Sequence, residues 1–148
     1  MADTVSLKTK DICDALKIGR HQLRVWADTL PPYCQRETKE RSARRYDPAD
    51  LLYFAVIQYI TNNFYLSLPF ITRFSEELYS CIREPQSLTA NPFIFISSKG
   101  EACTRLNIDQ VNQEGIVVNL QPAQTLVYQF LGLSPQQAQL PLDLMEVN

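Results

Sequence analysis

The stretch KTKDICDALKIGRHQLRVW, residues 8–26, decides the fold of the N-terminal part of the chain. Its first half predicts a short helix that Thr9 can cap. Three apolar side chains form the inward stripe of this helix: Ile12, Cys13 and Leu16. Gly19 gives the following turn its backbone freedom, and a second helix is predicted from Arg20 to about Thr29. Two short helices joined by a turn of three or four residues form a helix-turn-helix unit.

The predicted second helix has an apolar and a polar side. At about 100° per residue, its apolar side contains Leu23, Trp26, Ala27 and Leu30. The side that points away contains His21, Arg24, Val25 and Asp28, with Arg20 and Gln22 on its flanks. Arginine, histidine and glutamine near the start of such a helix suit base edges and phosphates in a DNA major groove. An exposed helix in an unrelated bundle has the same pattern, so both interpretations stay open.

A polar segment and then two longer helices are predicted after the helix-turn-helix unit. Pro31-Pro32 ends the second helix, and residues 33–46 are polar, basic and without helical period, which fits a β-hairpin or a loop. Asp47 is a candidate cap for the third helix, which starts at Pro48, extends to about residue 63 and is apolar enough to be central to the core. A fourth helix is predicted over residues 68–82, with an inward stripe of Phe70, Ile71, Phe74, Leu78 and Cys81.

The sequence pattern changes after residue 84. Residues 85–92 have the composition of a linker, and residues 93–133 predict a small segment of β-strands and one helix. The strands are expected at Phe93–Ser97, Ala102–Leu106 and Gly115–Leu120, and the helix from Pro122 to Gly132. Residues 134–148 have the composition of a disordered tail. The predicted fold class is therefore α+β.

The charge of the chain is unevenly distributed. The net charge is −2, but residues 17–46 contain eight basic and three acidic side chains, and residues 50–148 contain four basic and nine acidic ones. This distribution is typical of a chain with one anion-facing surface and an acidic remainder. An ordinary solvated run of charge is the alternative.

Several classes of function are disfavoured by the sequence. The four cysteines are widely spaced and His21 is the only histidine, so we expect reduced thiols in a cytoplasmic protein, with no metal and no cofactor. There is no catalytic constellation or phosphate loop, so we predict that the protein is not an enzyme. No apolar run is long enough to span a membrane.

Three blocks in order resemble the MerR regulators. Within residues 8–26, seven positions match the family pattern: Asp11, Ile12, Leu16, Ile18, Leu23, Arg24 and Trp26. The second block, ARRYDPADL at residues 43–51, resembles the family's wing exit and the capped helix after it. The third, FYLSLPFI at residues 64–71, is similar to the Ser-Leu motif that starts the family's fourth helix. The resemblance implies a winged helix-turn-helix DNA-binding domain over residues 5–84, with four helices and a wing hairpin.

The resemblance also implies which residues contact double-stranded DNA. Four residues of the second helix would approach the major groove: Arg20, His21, Gln22 and Arg24. The wing would add phosphate or minor-groove contacts from Lys39, Arg41, Arg44 and Arg45. Tyr46 would either hydrogen-bond to phosphate or pack against the base of the hairpin, and Trp26 is expected in the core.

The chain also departs from the family. Lys17 stands where a glycine is common, Glu37 and Glu40 weaken a simple phosphate clamp, and the family's long dimerisation helix is missing. A single winged helix reads few base pairs, so we expect residues 93–133 to mediate homodimerisation. The alternative is that this segment packs on the helices of its own chain.

The leading functional hypothesis is a sequence-specific transcription regulator, bacterial or phage-borne, that occupies its operator as a dimer at the nucleoid. Two alternatives stay open. One is an excisionase-like accessory protein that bends DNA, and the other is a protein-interaction module that has lost DNA binding, which the net charge of −2 favours. The operator sequence, the regulated genes, the direction of regulation and any small effector cannot be read from the sequence.

Overall fold

The computed structural model describes residues 6–34, 44–84, 91–107, 110 and 112–132. The fold is α+β, as predicted: the N-terminal part is helical, and a three-stranded antiparallel sheet and a last helix follow. The first two helices are α1 (Thr9–Leu16) and α2 (Arg20–Thr29); both have the predicted buried stripes, and α2 has the predicted bounds. No helix in the described ranges is long and apolar enough to cross a membrane.

The two ends of α1 differ from the prediction. Thr9 is the first helical residue and the cap position is Lys8, whose backbone N–H donates to Asp11 Oδ2 at 2.8 Å. In the turn, the residue with positive φ is Lys17 (φ 57°), whereas Gly19 has an extended backbone. The turn therefore requires the left-handed conformation two residues before the glycine, at a position where glycine is favoured.

Residues 31–34 were predicted to lie outside any helix, but they form the short helix α3 (Pro31–Cys34). Proline is tolerated in the first turn of a helix, so the two prolines that end α2 also begin α3. Helix α4 (Pro48–Phe64) begins as predicted, with Pro48 in its first turn and Asp47 at its cap. Asp47 and Asp50 each accept the other's backbone N–H, at 2.8 and 2.9 Å, which satisfies two donors at the helix start.

The predicted fourth helix is two helices, α5 (Leu68–Thr72) and α6 (Ser75–Arg83). The interruption lies at Arg73 and Phe74, where the hydroxyls of Thr72 and Ser75 donate to nearby helix carbonyls. Such local side-chain bonds compete with regular helix geometry. Phe74 is fully buried at this corner.

The sheet consists of β1 (Phe93–Ser97), β2 (Cys103–Arg105) and β3 (Gly115–Asn119), in the order β2-β1-β3. The register pairs Phe95 with Thr104 of β2 and with Val117 of β3. The last helix is α7 (Gln121–Phe130), and Gly132 after it has φ 76°. Of its predicted apolar face, Val127 is buried, whereas Phe130 is exposed.

The sheet and α7 pack on the helices of the same chain. Ile94, Ile96, Val118 and Val127 belong to one buried cluster with Leu16, Phe54 and Ile57 of the helical part. Helix α7 lies against α4 and α1, and β2 lies against α6. The inner side of the C-terminal segment therefore packs on the helices of its own chain, which is the second of the two possibilities that the sequence left open.

Candidate nucleic-acid interface

The polar side of α2 is open to solvent. Four of its side chains are exposed: Arg20, His21, Gln22 and Arg24. On the opposite side, Leu23, Trp26 and Ala27 are buried, and the Trp26 ring stacks on Phe54 with ring centroids 6.0 Å apart. The buried stripe fixes the rotation of α2, so its arginines, histidine and glutamine must face outward.

A groove of about 610 Å³ runs beside α2. It is lined by the start of α1, one side of α2 and the end of the segment before α4. Its charged residues are five bases and one acid: Lys8, Lys10, Arg20, Arg24, Arg44 and Asp28. A concave surface with this balance of charge attracts anions.

Sequence reasoning did not assign Lys8 and Lys10 to the site. Both line the groove because the first turn of α1 lies next to α2. The sequence shows two lysines on either side of Thr9, but it does not show that they lie beside α2. Only the packing of α1 against α2 reveals this. Ion pairing with Asp11 was an equally good interpretation of Lys8.

Arg44 and Asp28 form an ion pair across the groove. Arg44 Nη2 lies 3.1 Å from Asp28 Oδ1, and the Arg44 side chain is 27% exposed. The pair links Arg44, two residues before Tyr46, to the last turn of α2. Arg44, predicted to contact phosphate, is thus paired with α2.

The other predicted wing contacts are distributed differently. Arg45 is exposed. Lys39, Arg41 and most of the predicted hairpin, residues 35–43, lie outside the described residues. Where the segment ends, Leu7 and Tyr46 exchange two backbone hydrogen bonds of 2.7 and 2.9 Å as an isolated antiparallel bridge.

Tyr46 is a core residue. Its side chain is 4% exposed and its ring packs edge-on against Tyr33 and Phe54, with centroids 6.0 and 5.6 Å apart. A ring in this position fixes the end of the segment against the helices and is shielded from a phosphate group. Two roles were predicted for Tyr46, and the structure shows it in the packing role.

The comparison with known families agrees with this geometry. Residues 7–77 match the family of MerR HTH family regulatory proteins. The N-terminal part of the chain is a MerR-type helix-turn-helix domain. The matched range contains α1 to α5, the start of α6 and the whole charged groove, and it stops before the sheet and α7. Comparisons with curated proteins and with solved structures gave no match.

A partly buried polar cluster holds the start of α4. Arg83 Nη2 of α6 donates to Asp47 Oδ1 at 2.8 Å and to Asp50 Oδ1 at 2.9 Å. The Tyr33 hydroxyl donates to Asp50 Oδ1 at 2.7 Å, and the Arg83 guanidinium lies 4.6 Å from the centre of the Tyr79 ring. Asp50 is 3% exposed, and these partners satisfy the hydrogen-bonding capacity of its buried carboxylate.

The pKa values follow from this cluster. Burial by itself raises the pKa of Asp47, but the hydrogen bonds from Arg83 and from the Asp50 backbone outweigh it and hold the pKa below its usual value. Burial and the adjacent Asp50 carboxylate raise the pKa of the Tyr33 phenol. Tyr33 therefore stays a neutral donor and Asp47 stays charged. The cluster fixes the chain at the residue that follows Tyr46, which positions the end of the predicted wing.

Proposed function

We propose that the protein is a sequence-specific transcription regulator, bacterial or phage-borne, that occupies a DNA operator in the cytoplasm as a homodimer. The observation that carries the proposal is the exposed polar side of α2 beside a groove with five basic side chains and one acidic one. The match of residues 7–77 to MerR HTH regulatory proteins supports DNA as the anion.

The contacts divide by position. His21, Gln22 and Arg24 are exposed near the start of α2 and would read base edges in the major groove. Phosphates would be held by groove residues Lys8, Lys10, Arg20 and Arg44, by the exposed Arg45, and by Lys39 and Arg41 of the predicted wing. Phosphate contacts fix the position of the protein on the duplex, whereas base contacts select the sequence.

The outer edge of β3 is the surface that we assign to dimerisation. The hydrogen bonds Ser98 N–Glu114 O and Leu120 N–Pro92 O bracket the β1–β3 ladder. In an antiparallel ladder the bonding pairs alternate, so Gly115, Val117 and Asn119 direct their backbone groups away from β1. Within the described residues no strand pairs with that edge.

A second copy of the chain fits this edge. An antiparallel pair centred on Val117 would place each Gly115 opposite the partner's Asn119 and form a continuous six-stranded sheet. The Val117 side chain is 46% exposed. Free edge strands are usually protected by charged residues or proline, and β3 contains neither. Two-fold pairing doubles the DNA site that one domain reads.

Selection of binding sites from random duplexes, at two salt concentrations, tests the proposal. A regulator should yield one two-fold symmetric sequence motif, with affinity that falls steeply as salt rises. Clustered direct repeats would instead indicate an excisionase-like accessory protein. No selected sequence and no salt dependence would indicate a protein-interaction module.

A charge placed on the β3 edge tests the dimer separately. Val117→Lys should convert the dimer to a monomer in analytical ultracentrifugation, whereas Val117→Thr, which keeps the strand propensity, should remain dimeric. A wild-type protein that is monomeric, or a Val117→Lys variant that stays dimeric while folded, would contradict the assignment of this edge.

A further inference from the structure

Two cysteines meet where the helical part contacts the sheet. Cys81 of α6 and Cys103 of β2 are both buried, at 7% and 2% exposure. The Cys81 thiol donates to the Cys103 carbonyl oxygen at 3.6 Å, and both cysteines line the same surface cavity. They are 22 positions apart in the sequence, so only the packing of α6 against β2 brings them together.

The surroundings make the two thiols unequal. The neighbouring Cys103 side chain and the Arg105 guanidinium lower the pKa of Cys81 to about 7, although burial and two glutamates act against them. The neighbouring Cys81 side chain and deeper burial raise the pKa of Cys103. Arg105 also donates to the Cys81 carbonyl oxygen, which keeps its charge at this place. Cys81 is thus the better nucleophile, because thiolates react and thiols do not.

A small molecule has a route to the pair. A surface cavity of about 380 Å³ is lined by both cysteines, together with Glu76, Glu77 and Glu84 on one side and Arg105 on the other. Within the described residues there is no group of three or more His, Cys, Asp or Glu side chains that could hold a metal ion. The pair therefore offers thiol chemistry without a metal site.

We propose that Cys81 and Cys103 form a reversible disulfide when the protein meets a peroxide. The Cys81 thiolate attacks one oxygen of hydrogen peroxide, the O–O bond breaks, and Cys81 sulfenic acid and hydroxide form. The Cys103 sulfur then attacks the sulfenic sulfur; the S–O bond breaks, and the Cys103 proton and the hydroxyl leave as water. In total two thiols are oxidised and one peroxide is reduced to two waters.

The disulfide would tie α6 to β2 covalently. It closes a loop between positions 81 and 103, which reduces the freedom of the unfolded chain and so stabilises the fold. Helix α6 also carries Arg83, which holds Asp47 after the predicted wing. The site does not depend on DNA binding, so its test is independent of the proposed function.

The test uses the full chain with Cys34→Ser, because Cys34 is exposed and would form disulfides between molecules. After hydrogen peroxide treatment, peptide mapping without reductant should recover Cys81 linked to Cys103, and Cys13 should remain a thiol. Tm should rise by several degrees and return after dithiothreitol. With Cys103→Ser in addition, Cys81 should be trapped as a sulfenic acid that dimedone labels.

Two results would overturn the proposal. One is mapping that finds Cys81 overoxidised or unreacted, with no linkage to Cys103, in the protein that keeps both residues. The other is a linkage of either cysteine to Cys13 instead. Both measurements use the protein with its buried pair intact, so they hold even if the Cys103→Ser variant fails to fold.

Discussion

Arg44 Nη2 lies 3.1 Å from Asp28 Oδ1, so an arginine that the sequence assigns to DNA instead pairs with the helix that would read DNA. Asp28 is the acid among five bases in the groove and is itself more than half exposed. An exposed pair of this kind contributes little to stability. Its effect should therefore be on DNA binding, where Asp28 both repels phosphate and occupies Arg44.

Asp28→Asn should strengthen DNA binding. The substitution removes a negative charge from the groove and frees Arg44 for phosphate, so affinity should rise several-fold and the slope of log K against log salt should steepen by about 1. Fluorescence anisotropy over a salt series measures both. Glu101→Gln, which removes an acidic charge from the turn before β2, is the matched control and should change neither. Weaker binding by Asp28→Asn would mean that the pair instead holds the arginine in its binding position.

Arg24→Ala should weaken binding to the selected site by about 1–3 kcal/mol, since Arg24 is assigned to base edges, and Arg45→Ala, assigned to phosphate, should weaken binding to all sequences alike. Both side chains are exposed, so the fold should be unaffected. Lys99→Ala, on the turn between β1 and β2, is the control for loss of a basic residue. If both arginine variants fold and bind as the wild type does, the DNA-binding surface lies elsewhere.

Lys17→Gly should stabilise the protein. Lys17 has φ 57°, and a left-handed backbone costs a residue with a Cβ about 1–2 kcal/mol more than it costs glycine. Part of this is lost to the greater freedom of glycine in the unfolded chain, so we expect a gain of about 1 kcal/mol in urea unfolding. Lys17→Ala removes the same side chain but keeps the strain, and it should give no such gain. Equal stability of the two variants would show that the conformation of Lys17 is not strained.

Asp47→Asn should remove part of the acid sensitivity of folding. The pKa of Asp47 is lowered in the folded state, so its stabilising effect is present above its unfolded value of about 3.9 and is lost as the pH falls through the folded value. Asparagine keeps the cap but not the charge that pairs with Arg83. Unfolding at pH 7 and at pH 3 should show a lower stability of the variant at pH 7 and a smaller difference between the two pH values. An unchanged pH dependence would mean that other acids dominate.

Val127→Ala tests whether the chain folds as one unit. Val127 of α7 is buried in the same cluster as Phe54, on which the only tryptophan, Trp26, stacks. Removing two methyl groups should cost about 2 kcal/mol. The fluorescence of Trp26 and the far-UV circular dichroism should then show the same lowered midpoint. A Trp26 transition that stays at the wild-type midpoint would indicate that residues 93–133 form a separate domain.

Local patterns in the sequence were sufficient for most of the elements. The bounds of α2, the start of α4 and the strand β1 are confirmed, because each rests on a strong apolar period and on a local start or stop signal. The division between α5 and α6 was missed, because the apolar period runs through Arg73 and Phe74 without a break. There, side-chain bonds to carbonyls and the burial of Phe74 override the period.

By itself, the sequence determined the helix-turn-helix, the outward arginines of α2 and the resemblance to MerR regulators. These depend on residues close to one another in the chain, where periodicity and propensity act. Only the tertiary structure decided that Lys8 and Lys10 join the groove, that Arg44 pairs with Asp28, that Arg83 holds Asp47 and Asp50, and that Cys81 meets Cys103. These contacts join residues brought together by burial of one shared core, and no local pattern encodes which side chains then become neighbours.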